Sequence, residues 1–428
     1  MTDTNLTFCI NTAKNEINHI KLLFKSLEIN LSRKDYDIIV FIDSDNQNTT
    51  EWLLTQKSVF KNLKIVKNPN PIPVGYQRNI NLMFEMAKTD IVSYIQSDMV
   101  VSKNYDLDVL KNLNENTIIS STRIEPPLHP PSPEKITYDF GLDPTKFDFD
   151  LFQKISQQQK QNKLTDFWFA PFTLYKKIWN DIGGHDTLFR RSREDSDILY
   201  RLCMKGIKFK QDWNAIVYHF TCTSSRGKDW WKQENQEKTQ LQSIADRVEL
   251  MRFLKKWGKF KHDTQKDQND FKYNISVNFT NTKNKEIFIL QNHFLFNKIS
   301  VDNKESYDFI KKEYTKQQEP ANKLFNISDD VWQKSKSSYR VIEFEDVFSM
   351  SNVNDDVVIN FDLNNLNELT YNHLNKMQDI LKNSLKENES GEFELENCIH
   401  IKVNKLVNRL SENILVNNPP FTLPLEHL

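Results

Sequence analysis

Acidic and hydroxyl side chains directly follow an apolar run of the chain, at a point where they can bind a ligand. The run Ile38–Ile42 is continuous and β-branched, and Asp43, Ser44 and Asp45 come immediately after it. Ligands of open α/β sheets bind outside the carboxyl ends of the strands, so a carboxylate here can accept hydrogen bonds from a nucleobase N–H or from ribose hydroxyls. These residues are also ordinary turn formers, so a polar turn without a ligand is the alternative.

A second group of polar residues flanks the strand-like run Ile91–Ile95. Arg78 opens the helical segment before this run, and the tripeptide Gln96-Ser97-Asp98 follows the run. An arginine at a helix start can hold a phosphate, and a carboxylate just past a strand can bind a hard divalent cation that bridges a diphosphate. The order of these residues predicts an anion- and metal-binding edge of a sheet.

Two acidic residues and one histidine lie further along the chain. Glu194 and Asp195 fall at a predicted helix N-terminus, where the helix dipole favours negative charge. The pair is explained either by helix capping or by a general base at the mouth of a pocket. His219 ends the short apolar run that begins at Ile216. A lone histidine is usually structural, but this one can share a metal with Asp98.

These residues require a scaffold of strands that alternate with helices. The apolar pattern of the first 125 residues has that character. It predicts strands at Leu6–Ile10, Ile38–Ile42, Leu63–Val66 and Ile91–Ile95, and helices at Ile17–Leu27, Trp52–Phe60 and Arg78–Ala87. Such alternation is typical of an α/β domain with a mainly parallel sheet.

The composition and residue pattern of the chain change twice after residue 125. Residues 126–165 contain six of the 14 prolines and predict a long loop with a helix near Phe149–Lys160, either an acceptor-binding excursion or a plain surface insertion. A long helix is predicted over Gln233–Trp257. Residues 263–428 then predict a second, smaller α/β domain without a recognisable motif. Its expected elements are apolar runs at Ile275–Phe279, Ile287–Leu290, Tyr339–Phe344 and Val357–Phe361, and helices at Leu366–Leu381 and Ile401–Leu415.

Composition excludes several classes of protein. The 428 residues carry 57 Lys and Arg against 58 Asp and Glu, a net charge of −1, which argues against a protein that coats nucleic acid. No run approaches the roughly 18 apolar residues that span a bilayer, and no signal peptide is expected at the N-terminus. Four scattered cysteines predict neither a disulfide framework nor a thiolate zinc site. We therefore expect a cytoplasmic, multidomain protein with a substantial core.

Taken in order, the motifs over residues 5–260 resemble those of a family 2 glycosyltransferase with the GT-A fold. They are Thr12…Asn15-Glu16, Asp43-Ser44-Asp45, Gly75…Arg78-Asn79, Ser97-Asp98, Gly183-Gly184-His185-Asp186, Glu194-Asp195…Arg201…Gly206, and His219. The segment Phe253–Gly258 is similar to the closing segment of such enzymes. The resemblance implies a GT-A domain over residues 1–262, with residues 126–165 as an acceptor-side insertion. It also implies transfer of a sugar, with inversion, from a nucleoside-diphosphate sugar to an acceptor hydroxyl.

The resemblance further implies a role for each matching residue. On the donor side these are Thr12, Lys14, Asn15, Asp43, Asp45, Arg78, Gln96 and Ser97. Asp98 and His219 would bind Mn²⁺ or Mg²⁺ on the donor diphosphate. Asp195 would deprotonate the acceptor hydroxyl, with Glu194 beside it. Trp168, Gly184 and His185 would contact the acceptor.

The sequence departs from the family pattern at Gln96, where the first Asp of the DXD motif is expected. One negative charge near the metal is therefore missing. This substitution favours an alternative, a catalytically silent GT-A domain that binds nucleotide sugar or glycan. A sugar-1-phosphate nucleotidyltransferase is excluded, because residues 5–20 contain no glycine for a triphosphate loop.

The partners implied by the resemblance are small molecules and glycans rather than nucleic acid. A UDP-sugar is favoured over a GDP-sugar as the donor, and the acceptor is a glycan, a lipid-linked molecule or a protein. Peripheral contact with a membrane is left open. Three roles are possible for residues 263–428: acceptor docking, homo-oligomerisation and a second activity.

Overall fold

The computed structural model describes residues 6–70, 73–128, 130–189, 192–221, 236–258, 271–317, 344–350, 355–396, 398–418 and 424–428. The chain forms two compact units. The first comprises Met1–Thr187, Lys205–Gln236 and Pro420–Leu428, and the second comprises Leu188–Met204 and Glu237–Pro419.

The first unit is built on one mainly parallel sheet. Its labelled strands are β1 (Leu6–Thr12), β2 (Asp37–Ile42), β3 (Leu63–Lys67), β4 (Ile91–Gln96), β5 (Met99–Val101), β6 (Thr117–Glu125), β7 (Lys135–Thr137), β8 (Leu164–Thr165), β9 (Phe172–Tyr175) and β10 (Lys208–His219). Strands β3, β2, β1 and β4 run parallel, and so do β6 and β10. Strand β9 lies antiparallel between β4 and β6, β5 pairs antiparallel with β10, and a short strand at Glu426–His427 pairs antiparallel with β3. The predicted α/β fold with a mainly parallel sheet is confirmed.

The helices of the first unit follow from apolar spacing. They are α1 (Ile17–Asn30), α2 (Thr49–Gln56), α3 (Tyr76–Met86), α4 (Tyr105–Lys111), α5 (Phe149–Gln159) and α6 (Lys176–Asn180). In α1 the buried residues Ile20, Leu23 and Leu27 recur three and four positions apart, so one face of the helix packs on the core of the sheet. The helices predicted at residues 17, 52, 78 and 149 are confirmed with shifted ends.

The predicted insertion, residues 126–165, packs on the sheet through aromatic side chains. Phe140, Phe149 and Phe152 share a buried cluster with Tyr218 of β10, and the Tyr218 hydroxyl donates to the carbonyl of Gly141 at 2.7 Å. The cluster fixes this segment against the strand that ends in His219.

The register of the sheet brings the polar strand ends to one edge. Asn11 pairs with Gln96, and Thr12 pairs with Ile42, so the carboxyl ends of β1, β2 and β4 coincide. The end of β10 joins this edge because His219 pairs with Met99 of β5. This alignment gathers the candidate residues of the first unit.

The second unit contains its own α/β sheet, as predicted. Strands β11 (Ile275–Thr280), β12 (Lys298–Val301), β13 (Phe348–Ser349) and β14 (Val357–Asp362) are parallel, whereas β15 (Gly391–Leu395) and β16 (Ile399–Val403) are antiparallel to their neighbours. Its helices are α7 (Glu194–Met204), α8 (Gln236–Trp257, of which the first residue belongs to the first unit), α9 (Glu286–Asn292), α10 (Lys304–Gln317), α11 (Phe344–Val347), α12 (Glu368–Asn375) and α13 (Met377–Ser384).

The structure of two apolar segments in the second unit could not be read from their local pattern. The helix predicted at Ile401–Leu415 is wrong, because Ile399, Ile401 and Val403 alternate with exposed or half-buried residues and form β16 between β14 and β15. The apolar run Ile287–Leu290 lies within helix α9. Most of the predicted run Tyr339–Phe344 lies outside the described residues.

Helices α7 and α8 group with the second unit, whereas the sequence assigned them to residues 1–262. The carboxylate of Asp197 in α7 is fully buried and accepts hydrogen bonds from Arg201 at 2.8 Å and from Trp257 of α8 at 2.9 Å. Tyr200 stacks on Trp257, and Leu410 belongs to the same apolar cluster. A domain boundary at residue 262 stays a prediction, because residues 259–270 lie outside the described part.

Across the described ranges, no helix is both long and apolar enough to cross a membrane.

Candidate active site

Asp98 and His219 lie side by side at the carboxyl edge of the first sheet. The carboxylate oxygen Oδ2 of Asp98 is 3.7 Å from Nε2 of His219, and the carbonyl of Asp98 accepts the N–H of Phe220 at 3.1 Å. Both side chains are largely buried. Adjacent ligands of an octahedral ion, each about 2.1 Å from it, lie about 3.0 Å apart. The pair is therefore about 0.7 Å wider than octahedral coordination requires and would close by that amount around one cation.

Glu125, at the end of β6, sets the state of the histidine ring. Its Oε1 lies 2.8 Å from Nδ1 of His219, while Lys135 and Arg123 approach the carboxylate at 3.1 and 3.4 Å. Burial raises the pKa of Glu125, but the hydrogen bond to His219 and the nearby cations outweigh it and bring the pKa to about 2. The ionised carboxylate can accept a proton from Nδ1; in the neutral tautomer with that proton, the Nε2 lone pair faces Asp98, as in histidines that bind metals.

This donor set fits Mn²⁺ or Mg²⁺ that is held mainly by a substrate. No group of three or more His, Cys, Asp or Glu side chains in the described ranges is arranged to hold a metal ion. Divalent cations of nucleotide sites commonly take one or two protein ligands and complete their shell with phosphate oxygens and water. A carboxylate and a neutral imidazole match that requirement.

Glu16, directly after the first loop, is a buried carboxylate beside this pair. Its Oε2 accepts hydrogen bonds from the N–H of Ala13 at 2.9 Å and from the hydroxyls of Thr12 at 3.2 Å and Ser97 at 2.5 Å. Burial, and to a lesser degree the charge of Asp98, raise the pKa of Glu16 to about 7. The sequence placed Glu16 in a motif but gave it no role.

The predicted donor-side residues Thr12, Lys14 and Asn15 belong to a loop that is tied to the loop after β2. The backbone N–H of Asn15 donates to the side-chain carbonyl of Asn46 at 3.0 Å, and the Asn46 amide donates back to Asn15 at 2.9 Å. The N–H of Lys14 lies 3.3 Å from the hydroxyl of Ser44. The two loops thus form one surface at the sheet edge.

Asp43 links the end of β2 to the start of α3. Its carboxylate accepts the N–H groups of Val74 at 2.6 Å and Gly75 at 3.0 Å, and Gly75 has φ +89°, a conformation that favours glycine. Burial raises the pKa of Asp43 although these hydrogen bonds oppose the shift. Contact between Asp43 and a nucleobase stays a prediction.

Asp45 lies three residues before Asn48, the N-cap of helix α2, and accepts the first N–H groups of that helix. Its carboxylate accepts the N–H of Thr49 at 3.0 Å and the N–H and hydroxyl of Thr50, each at 2.9 Å. Burial raises its pKa, but the N–H donors dominate and hold the pKa at about 2. The predicted donor contact of Asp45 therefore has a structural alternative.

We expect Asp45→Ala to destabilise the protein by about 0.5–2 kcal/mol, the usual loss for a helix cap. Because the native pKa of about 2 lies below the ordinary value of 3.8, the stabilisation is present above pH 3.8 and is lost as the pH falls towards 2. Urea midpoints should therefore differ most at neutral pH. Glu51→Ala, an exposed acid in the first turn of the same helix, is the control and should have little effect. An unchanged midpoint together with weakened nucleotide binding would instead support the donor contact.

Arg78 and the segment after α6 lie close to each other in the first unit. Arg78 is buried on α3, and its Nη2 lies 3.3 Å from the hydroxyl of Thr187. Asn81 holds the preceding turn, because its Oδ1 accepts Trp179 Nε1 at 3.0 Å and the N–H of His185 at 2.9 Å. His185 is only 2% exposed.

The acceptor-side residue Trp168 is half-buried and stacks on Phe172 at a centroid distance of 4.6 Å. Acceptor contacts by Trp168, Gly184 and His185 stay predictions.

Gly184→Ala should destabilise the protein more than an ordinary glycine substitution. Gly184 has φ +72°, and an added Cβ would lie 2.3 Å from Oδ1 of Asn81. The control is Gly141→Ala, which has φ +83° and no atom within 4 Å of the added Cβ. Backbone strain alone predicts a loss of about 1–2 kcal/mol for the control, and the clash should add about 1–3 kcal/mol for Gly184→Ala. Equal urea midpoints for the two variants would contradict the close packing.

Glu194 and Asp195 form the first turn of α7 in the second unit. Glu194 is buried, whereas Asp195 is exposed. The hydrogen bond that the buried carboxylate of Asp197 accepts from Trp257 holds this helix to α8. The use of Asp195 and Asp98 in one site stays a prediction.

The first unit thus brings together Thr12, Ser97, Asp98 and His219, and adds two residues without an assigned role, Glu16 and Glu125. Glu125 ends a strand just as Asp98 and His219 follow or end theirs, so its position in the sequence carried the same signal. Gln96 has a buried Oε1 without a hydrogen-bond partner.

Residues 9–183 match the family model described as Glycosyl transferase family 2. No curated protein matches the chain.

Similar solved structures include GalNAc-T7 with UDP, GalNAc and Mn²⁺ (13% identity, 50% of this chain and 44% of that one, TM-score 0.38). They also include residues 1–349 of S. aureus TarS in complex with UDP (12%, 78% and 92%, 0.38) and the mannosyltransferase PcManGT from Pyrobaculum calidifontis with GDP-Man and Mn²⁺ (13%, 61% and 66%, 0.40). The chain spans less than half of the length of the first of these structures.

Proposed function

We propose that this chain, whose residues 9–183 match the glycosyl transferase family 2 model, transfers a sugar from a nucleoside-diphosphate sugar to an acceptor hydroxyl with inversion. The observation that carries the proposal is the pairing of Asp98 with His219, oriented by Glu125, at the carboxyl edge of the sheet. A UDP-sugar is the preferred donor class and a hexose the preferred sugar. The acceptor is a glycan, a lipid-linked molecule or a protein.

Asp98 and His219 would hold Mn²⁺ or Mg²⁺ against the donor diphosphate. The cation would neutralise the negative charge of the leaving nucleoside diphosphate. Arg78, buried at the start of α3, adds positive charge on the donor side. The loops that contain Lys14, Asn15 and Asp43 would bind the nucleoside.

Asp195 is proposed as the general base. Its carboxylate would take the proton of the acceptor hydroxyl as the acceptor oxygen forms a bond to the anomeric carbon. The bond between that carbon and the diphosphate oxygen breaks on the opposite face, so the configuration inverts. Asp195 suits this role better than Glu194 because it is exposed at its helix end. Positioning and electrostatics would supply most of the acceleration.

A catalytically silent domain that binds nucleotide sugar or glycan is the second candidate. The observation that favours it is Gln96, which leaves the metal site without one expected carboxylate. The second candidate binds nucleotide sugar or glycan without turnover, whereas the first turns a nucleotide sugar over.

Thermal unfolding with nucleotides tests the proposal. UDP, GDP and CDP are each added with and without Mn²⁺ at about one hundred times a plausible dissociation constant. Binding at that excess stabilises the native state by about 2.7 kcal/mol. We expect a Mn²⁺-dependent shift with one nucleotide, which also names the donor class. No shift with any nucleotide would contradict the proposal.

A further inference from the structure

We propose that Glu16 supplies, from the loop after β1, the negative charge that Gln96 fails to supply beside the metal site. This inference rests on the proposed function, since it concerns the affinity of that site for a cation. It assigns Glu16 as a positioning residue for Ser97-Asp98 rather than as a metal ligand.

The geometry of the Ser97 side chain is the first support. Glu16 is only 6% exposed, and its Oε2 lies 2.5 Å from the hydroxyl of Ser97, the residue directly before Asp98. A buried carboxylate is tolerated when it is well hydrogen-bonded, and this oxygen receives three hydrogen bonds. Burial raises the pKa of Glu16 to about 7, so this carboxylate, next to the metal-binding end of β4, carries its full charge only above that pH.

The same oxygen joins the loop that contains Thr12 and Ala13 to the segment Ser97-Asp98. It accepts from Thr12 and Ala13 on one side and from Ser97 on the other, although Glu16 and Ser97 are 81 positions apart in the chain. Movement of either segment would break a short hydrogen bond. Glu16 therefore fixes the direction of the peptide that carries Asp98.

The environment of Gln96 is the second, independent support. Its Oε1 is buried and has no hydrogen-bond partner among the described residues, so this oxygen does not take part in the network around Ser97. Position 96 nevertheless lies at the same strand end, paired with Asn11 of β1. The inference therefore predicts that an acid at position 96 supplies negative charge at the same edge of the sheet.

The test is Mn²⁺ affinity, measured from the EPR signal of free Mn²⁺ in the presence of saturating UDP, or of the nucleotide that gives the thermal shift. Glu16→Gln retains an acceptor oxygen but removes the charge, and we expect it to weaken Mn²⁺ binding about 10–100-fold, as is usual for a residue behind a metal ligand. Adding Gln96→Asp to Glu16→Gln should restore most of that affinity, whereas Gln96→Asp alone should change it little. A double-mutant cycle gives the coupling between the two positions.

The control is Asp106→Asn, another buried carboxylate of the first unit, which accepts hydrogen bonds from Ser32 and Tyr36. It should leave Mn²⁺ affinity unchanged. Unchanged affinity in Glu16→Gln, or a loss that Gln96→Asp fails to repair, would overturn the inference. Thermal unfolding without ligands checks that each variant is folded. If the unmodified protein binds no Mn²⁺ with any nucleotide, the proposed function itself fails, an outcome that is distinct from a failure of Glu16 alone.

Discussion

Asp98→Ala should abolish the Mn²⁺-dependent part of nucleotide binding. The substitution leaves His219 as the remaining side chain of the pair and removes the carboxylate proposed to bind the cation directly. The stabilisation of about 2.7 kcal/mol expected at one hundred times the dissociation constant should therefore disappear. Turnover should fall by about 10²–10³, the range seen when a preorganised electrostatic group is removed. Thermal unfolding with and without Mn²⁺ measures the first effect, and a transfer assay measures the second.

The control for Asp98 is Asp90, an exposed aspartate directly before the same strand. Asp90→Ala should keep the full Mn²⁺-dependent shift. His219→Ala should reproduce the loss seen with Asp98→Ala, because both side chains face one position. A variant that lacks Asp98 and still shows the Mn²⁺-dependent shift would exclude this pair as the metal site.

Asp195→Asn should stop turnover and leave donor binding intact. Asparagine has nearly the same shape but cannot accept the proton of the acceptor hydroxyl, and general-base catalysis contributes about 10²–10⁴ in rate. The thermal shift with nucleotide and Mn²⁺ should equal that of the unmodified protein. Steady-state transfer to the acceptor and nucleotide binding are measured on the same preparation.

Comparison with Glu194→Gln separates the two neighbouring acids. Asp195 is exposed and Glu194 is buried, so the loss of turnover should be larger for Asp195→Asn. A larger loss for Glu194→Gln would transfer the role of base to Glu194. Binding of nucleotide without turnover by the unmodified protein, over a panel of sugar donors and acceptors, would favour the silent domain.

The strand ends were predictable because their signal is local. Asp98 and His219 each follow or end an apolar run, and such runs are typical of buried strands. Contacts between distant segments were not predictable in this way. The hydrogen bond from Ser97 to Glu16 depends on β1 pairing with β4, and that between Glu125 and His219 depends on β6 pairing with β10. Neither pairing is encoded near the residues that it joins.

The incorrect prediction of a helix at Ile401–Leu415 has a similar cause. Val403, Leu406 and Leu410 are spaced three and four positions apart, as on a helix face, while Ile399, Ile401 and Val403 alternate as in a strand. The helical period and the strand period therefore both fit residues 399–410. Pairing with β14 and β15 selected the strand, which is a tertiary effect that the local pattern does not contain.

The division of the chain into interleaved segments bears on the order in which the protein can fold during synthesis. Domains usually fold one after another as they leave the ribosome. Here helix α7 can bury its apolar side chains only after Phe253, Trp257 and Leu410 have been made. The outer edge of β3 can pair only after the strand at Glu426–His427 has been made. Until residues 426–427 emerge, β3 presents an unpaired edge, the kind of surface to which other chains can add. A nascent chain of this protein therefore has to postpone closure of its first sheet until the strand at Glu426–His427 has been made.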